Sequence, residues 1–203
     1  ELRKFRVAGM RIKTQVTWLK MKEKPPQTEH KTCGRGFELK IVKLTQPTVE
    51  DYRFLYNTVG APWTWIERRL FTDQKLLKTI THPNVEIYTL SSDDEIAGFS
   101  EIKRSEKLHQ AEIKYFGLVP SFIGRRLGRY FLMKIIDLAW AGATKRVTVN
   151  TCDLDHPRAI DLYTSCGFEI TKKSIEFLPD PTKVGLPIPV SYTHLRAHET
   201  GWY

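Results

Sequence analysis

The segment that most restricts the fold runs from Ala111 to Thr151. A strand-like stretch ends at Leu118-Val119-Pro120, and the basic turn Phe122-Ile123-Gly124-Arg125-Arg126-Leu127-Gly128-Arg129-Tyr130 follows it. A long amphipathic helix grows out of that turn. Leu127, Phe131, Ile135 and Leu138, flanked by Leu132, Ile136 and Ala139, form one broad apolar face. Gly142 ends the helix, and the Val-rich run Arg146 to Thr151 reads as the next strand. Such a strand–helix–strand unit predicts a right-handed parallel crossover. It also leaves the first N–H groups of the helix without intrahelical partners, at the positive end of its dipole and beside three arginines. Those features suit an anion such as a pyrophosphate.

The rest of the chain supplies strands and helices around this unit. Gln15 to Met21 and Phe37 to Leu44 alternate as strands, with a Pro/Gly-containing loop between them. Thr48-Val49-Glu50-Asp51 is a helix start, and that helix runs to Gly60. The aromatic turn Ala61-Pro62-Trp63-Thr64-Trp65 precedes a helix predicted over Ile66 to Thr79. Strands follow at Val85 to Ser91, Ala97 to Arg104 and Ala111 to Val119. After the crossover, Pro157 opens a short helix to Cys166, Gly167 stops it, and Phe168 to Phe177 gives one or two closing strands. The order β–β–α–α–β–β–β–α–β–α–β predicts an α/β (α+β) domain with a mixed sheet.

Size and composition fit one globular domain of about 180 residues with an ordinary core. Residues 10–189 are taken as that domain. Met10 reads as a start and residues 1–9 as upstream read-through. Val190-Ser191-Tyr192-Thr193-His194-Leu195-Arg196-Ala197-His198-Glu199-Thr200 matches a translated sequencing adapter, so residues 190–203 are taken as a non-native tail and His194 and His198 are not read as a metal site. No apolar run is long enough to span a membrane and no signal segment opens the chain, which gives a cytoplasmic expectation. The net charge is +9. Residues 1–24 alone hold eight Lys/Arg against two acids, so the balance does not point to nucleic acid. Cys33, Cys152 and Cys166 have no CxxC spacing, and neither a disulfide framework nor a metal is expected.

The block His156-Pro157-Arg158-Ala159-Ile160-Asp161-Leu162-Tyr163-Thr164-Ser165-Cys166-Gly167-Phe168 resembles N-x-x-A-x-x-L/F-Y-x-x-x-G-F of the GNAT superfamily of acetyl-CoA-dependent N-acetyltransferases, with His156 in place of the asparagine. The basic turn is similar to the family's Q/R-x-x-G-x-G/A. Ile123 and Arg126 depart from it and Gly128 matches. The resemblance implies a mostly antiparallel sheet splayed between the family's strands 4 and 5, with helices on both faces. It implies acetyl-CoA as acetyl donor, bound by Leu118, Val119, Gly124, Arg125, Arg126, Leu127, Gly128 and Arg129.

By the same resemblance, an amine of a small molecule or peptide attacks the thioester directly in a ternary complex. Tyr163 serves as the acid for the CoA thiolate, and a bulge at Gly117 aims the Leu118 N–H at the carbonyl oxygen. Glu112 and Glu101 are the candidate bases. Trp63, Trp65 and Tyr56 border the acceptor groove as an apolar or cation–π wall. The alternative reading is a CoA-binding or basic partner-binding module of the same fold without turnover. The oligomeric state stays open, a dimer included.

Overall fold

The computed structural model describes residues 11–26 and 38–180. The expectations for residues 1–9, Met10, Cys33 and the tail 190–203 lie outside the described residues, as does Phe37 at the start of the second strand.

Among the described residues, seven strands form one sheet: β1 (Arg11–Met21), β2 (Leu39–Lys43), β3 (Val85–Ser92), β4 (Glu95–Ser105), β5 (Gln110–Leu118), β6 (Arg146–Cys152) and β7 (Glu169–Pro179). Their order is β2-β3-β4-β5-β6-β1-β7. All neighbouring pairs are antiparallel except β5–β6, which is parallel as the crossover predicts. The first strand is longer than its alternation suggests and is inserted between β6 and β7, pairing with both. The closing segment is one strand.

Helices cover both faces. α1 (Val49–Gly60) and α2 (Asp73–Ile80) lie on one side, α3 (Leu127–Ala139) and α4 (Ala159–Ser165) on the other. α1 begins with a capping box: Thr48 Oγ1 accepts the Asp51 N–H, and the Asp51 carboxylate accepts the Thr48 N–H. The helix expected over Ile66 to Thr79 is broken. A 3₁₀ turn, Glu67–Leu70, gives way to extended Phe71, and Thr72 then caps α2 by accepting the Lys75 N–H. A threonine able to satisfy an orphan donor restarts the helix there.

α3 buries the face its periodicity marks. Leu127, Phe131, Leu132, Ile135 and Ile136 are at most 2% exposed, each contributing about 1.5–3 kcal/mol through burial. Arg104 of β4 closes the far end of this helix, donating to the carbonyls of Leu138, Ala139 and Ala141. A cation at a helix C-terminus satisfies free carbonyls and opposes the negative end of the dipole. α3 is thus fixed at its C-terminal end, with its N-terminus directed to the open part of the sheet.

That opening lies between β5 and β6. The two strands pair only from Gln110 to Ile113 and from Arg146 to Val149. Beyond these residues β5 continues to Leu118 and β6 to Cys152 without pairing to each other.

Candidate active site

The opening becomes a cavity of about 1190 Å³. Leu118 forms part of its β5 wall, and Gly124, Arg126, Gly128 and Arg129 bring in the basic turn and α3. Tyr163 reaches it from α4, and Tyr56, Trp63, Trp65 and Glu67 line it from the other face of the sheet.

At the turn, Gly124 and Arg126 both adopt positive φ, +86° and +63°. Arg126 is the N-cap of α3 and makes no side-chain capping bond, so the helix opens without a side-chain partner for its first N–H groups. A Cβ on Gly124 would meet no atom within 4 Å, and one on Gly128 would come no closer than 3.7 Å to Leu162. The turn is therefore open and donor-rich, which fits a pyrophosphate group.

The three arginines part company. Arg126 lines the cavity. Arg129 spends its guanidinium on the Ser165 carbonyl and hydroxyl, each 2.9 Å away, and so ties α3 to the end of α4. Arg125 stacks over Phe122 at 4.7 Å and is absent from the cavity wall, as are Val119 and Leu127. Leu127 belongs to the core, and the Val119 N–H is consumed by the Ala97 carbonyl.

That last bond fixes the direction of the Leu118 N–H. Antiparallel neighbours alternate between hydrogen-bonded and non-bonded pairs, and Val119 bonds to Ala97 across β4. Leu118, opposite Gly98, therefore turns its N–H away from β4, into the gap left by β6. The bulge that sets this up is not at Gly117. Glu101 pairs with Tyr115 and Ile102 with Ile113, so Lys114 is the extra residue. Gly117 has a packing role: a Cβ there would lie 2.5 Å from Val59 Cγ1.

Tyr163 is 6% exposed and packs against Phe116 and Phe168 while lining the cavity. Burial first, then the Asp155 carboxylate, pushes its phenol well above the ordinary value, so it stays protonated across neutral pH. Asp155 itself braces the cavity. It accepts from Trp65 Nε1 at 3.1 Å, Thr151 Oγ1 at 2.7 Å and the Cys152 N–H at 2.9 Å. A second bridge runs from Trp63 to His156, whose rings meet edge to face at 5.1 Å. His156 Nδ1 accepts the Arg158 N–H, which leaves Nε2 to carry the proton of the neutral ring. Burial, reinforced by Arg158, lowers its pKa and favours that neutral form.

The two strand carboxylates expected as bases are not brought to the cavity. Glu101 is fully buried, paired with Arg68 at 2.6 Å and hydrogen-bonded by the Tyr52 hydroxyl. Glu112 lies outside the lining, 3.9 Å from Lys114. The carboxylates that do line it are Asp155, Asp161 and Glu67, the last accepting from the Tyr115 hydroxyl at 2.8 Å. Glu67 stands in a turn read from sequence as ordinary helix, and only contacts distant in the chain mark it out.

The Acetyltransferase (GNAT) family model matches residues 49–168, more than half the chain. The chain belongs to this family. No curated protein matches it. Among solved structures, a functionally unknown conserved protein from Staphylococcus epidermidis is 17% identical with a TM-score of 0.57. The match covers 88% of this chain and 66% of that one. An aminoglycoside acetyltransferase from an uncultured soil metagenomic sample is 16% identical at TM-score 0.54, covering 64% and 87%. A PaiA N-acetyltransferase from Thermoplasma acidophilum, solved with coenzyme A, is 15% identical at TM-score 0.51, covering 70% and 99%. At these identities the likeness is one of fold. Within the GNAT domain, the block from His156 to Phe168 forms the loop after β6 together with α4, and the basic turn forms the entry to α3.

Proposed function

We propose that the protein is an N-acetyltransferase that moves the acetyl group of acetyl-CoA to an amine by direct attack in a ternary complex. The observation that carries this reading is the single cavity that crosses the split sheet, with the donor-rich entry of α3 at one end and an aromatic wall at the other. Family membership supports the reaction class, and the neighbour solved with coenzyme A supports an acyl-CoA donor.

Acetyl-CoA supplies an activated acyl carbon and departs as a thiol. The turn from Gly124 to Arg129 holds its pyrophosphate through backbone N–H groups, with Arg126 adding a charge-assisted contact. The Leu118 N–H donates to the carbonyl oxygen as negative charge gathers there. As the new C–N bond forms and the C–S bond breaks, the amine loses one proton and the sulfur gains one. The Tyr163 hydroxyl donates to the leaving sulfur. Burial opposes a tyrosinate at this position, so the phenol acts chiefly as a hydrogen-bond donor and must be reprotonated as fast as it transfers. Trp63, Trp65 and Tyr56 form the acceptor wall. Glu101 and Glu112 stand off the cavity and Asp155 is taken up by Trp65, Thr151 and Cys152, so the amine arrives as its free base or loses its proton to water.

That same absence favours one other reading, a domain that binds CoA without turnover. Thiol release from acetyl-CoA across a panel of small amines and peptide N-termini separates the two. Amine-dependent release supports transfer, whereas CoA-induced thermal stabilisation with no release from any amine overturns it.

A further inference from the structure

The cavity carries a carboxylate that acetyl transfer leaves unused. Glu67 sits on the acceptor side, its side chain 37% exposed. Its Oε2 accepts from Tyr115, and Lys114 Nζ and Arg68 Nη1 each stand 3.5 Å from a carboxylate oxygen, close enough for attraction but long for a hydrogen bond. A carboxylate offers about four acceptor positions, and of these three neighbours only Tyr115 donates at an ordinary hydrogen-bond length. Burial pulls the Glu67 carboxyl upward, but Lys114, Arg68 and the Tyr115 hydroxyl outweigh it and hold the group below the usual carboxylate range. Nor is its charge cancelled locally. Arg68 is engaged by Glu101 at 2.6 Å, and Lys114 is shared with Glu112, so three carboxylates face two cations in this ion-pair network.

The surroundings favour a cation as well. Tyr115 and Trp65 lie 5.1 Å apart, Tyr56 and Tyr115 5.0 Å, making a continuous aromatic wall beside the carboxylate. Thr64, in the turn that joins Trp63 to Trp65, holds a left-handed conformation at φ +60°, costly for a β-branched residue. Thr64 lines the cavity, and its hydroxyl is buried without a hydrogen-bond partner. Strain and an unsatisfied polar atom both fall on this wall.

Glu67 is poorly suited to the reacting nitrogen. An anion beside an ammonium favours the protonated form, and the attacking nitrogen must be unprotonated. The carbonyl donor Leu118 is also three residues along β5 from Tyr115, about 10 Å at strand rise. We infer that the acceptor carries a second, non-reacting cationic group held by Glu67 at the aromatic wall, so that the acceptor class is an aliphatic diamine or oligoamine. This rests on the transfer reading for the reacting end alone.

The test uses 1,6-diaminohexane, hexylamine and 6-aminohexanoate, which match in length and differ in the remote group. Thiol release and calorimetric binding in the presence of CoA are both measured. The full chain should prefer the diamine over hexylamine by roughly 10- to 100-fold, through KM, with 6-aminohexanoate poorest. Glu67→Gln should bring the diamine-to-hexylamine ratio close to one, and Glu67→Asp should restore part of it. Equal use of the three amines by the unsubstituted protein, or a preference that survives Glu67→Gln, overturns the inference while leaving acetyl transfer intact. Glu67-dependent diamine binding without any thiol release upholds the subsite and overturns transfer instead.

Discussion

Replacing Glu101 by glutamine separates a structural carboxylate from a catalytic one. Glu101 is fully buried, Arg68 is 5% exposed, and the two meet at 2.6 Å with the Tyr52 hydroxyl as a further donor. The substitution keeps the shape but leaves the Arg68 guanidinium without its counter-charge. Breaking one side of a buried pair costs about 3–5 kcal/mol, because the remaining charge is still out of water. A domain of this size loses roughly 2–4 °C in Tm per kcal/mol, so a fall of about 6–20 °C is expected in thermal denaturation. Replacing both partners, Arg68→Met with Glu101→Met, should cost less than the two single changes added together. Turnover measured well below the transition should stay within about tenfold, against the roughly 10²–10⁴-fold loss expected for a general base. An unchanged Tm together with a hundredfold loss of turnover would refute the structural assignment and return Glu101 to the chemistry.

Four other outcomes follow from the geometry. Arg126→Gly removes a side chain from a left-handed position and should raise stability by about 1 kcal/mol while weakening acetyl-CoA binding, read by denaturation and calorimetry. Gly98→Ala places a Cβ 2.6 Å from the Gly117 carbonyl, which cannot yield cheaply; about 1–3 kcal/mol of stability and much of the turnover should be lost as the Leu118 backbone shifts. Tyr163→Phe should slow thiol release by about 10²-fold or more with little change in acetyl-CoA affinity, and equal turnover would remove the hydroxyl from the mechanism. Cys152 is pushed up to about 12 by burial, then by Asp155 and other neighbours. Its thiolate fraction at neutral pH is roughly a thousandfold below that of a free thiol, so alkylation should be slow in the native state and fast after unfolding. The raised pKa also means that any stability linked to this thiol is present below the unfolded value, near 8.5, and is lost as pH rises towards 12.

What was readable in the chain was local. The apolar face of α3, the Thr48–Asp51 box and the strand alternation each depend on residues within one or two turns, so element order and the parallel crossover could be derived. The carboxylates could not be sorted in this way. Glu101 and Glu112 alternate alike with apolar neighbours, yet α1 covers the sheet over Glu101, and Arg68 reaches it from 33 positions away. Glu67 looked like one more charged residue in a long helix. Its place at the cavity depends on Tyr115, 48 positions on, and on a helix break that ends where Thr72 caps α2.

The extra residue at Lys114 links these observations. Before it, Ala111 and Ile113 of β5 face the α3 core; after it, Phe116 and Leu118 do so, and Tyr115 and Gly117 turn to α1. Strict alternation would instead have kept Tyr115 and Gly117 on the side of Ala111 and Ile113. Because the parity flips, one strand end serves both halves of the cavity. Phe116 packs on Phe131 and Tyr163 beside the α3 entry, while Tyr115 hydrogen-bonds Glu67 at the aromatic wall. The Leu118 N–H lies at the boundary between them, in the gap where β6 has stopped pairing. A single inserted residue thereby lets one interior strand line both halves of the cavity, with the basic turn on one side and the Glu67 carboxylate on the other, which is the arrangement the proposed transfer needs.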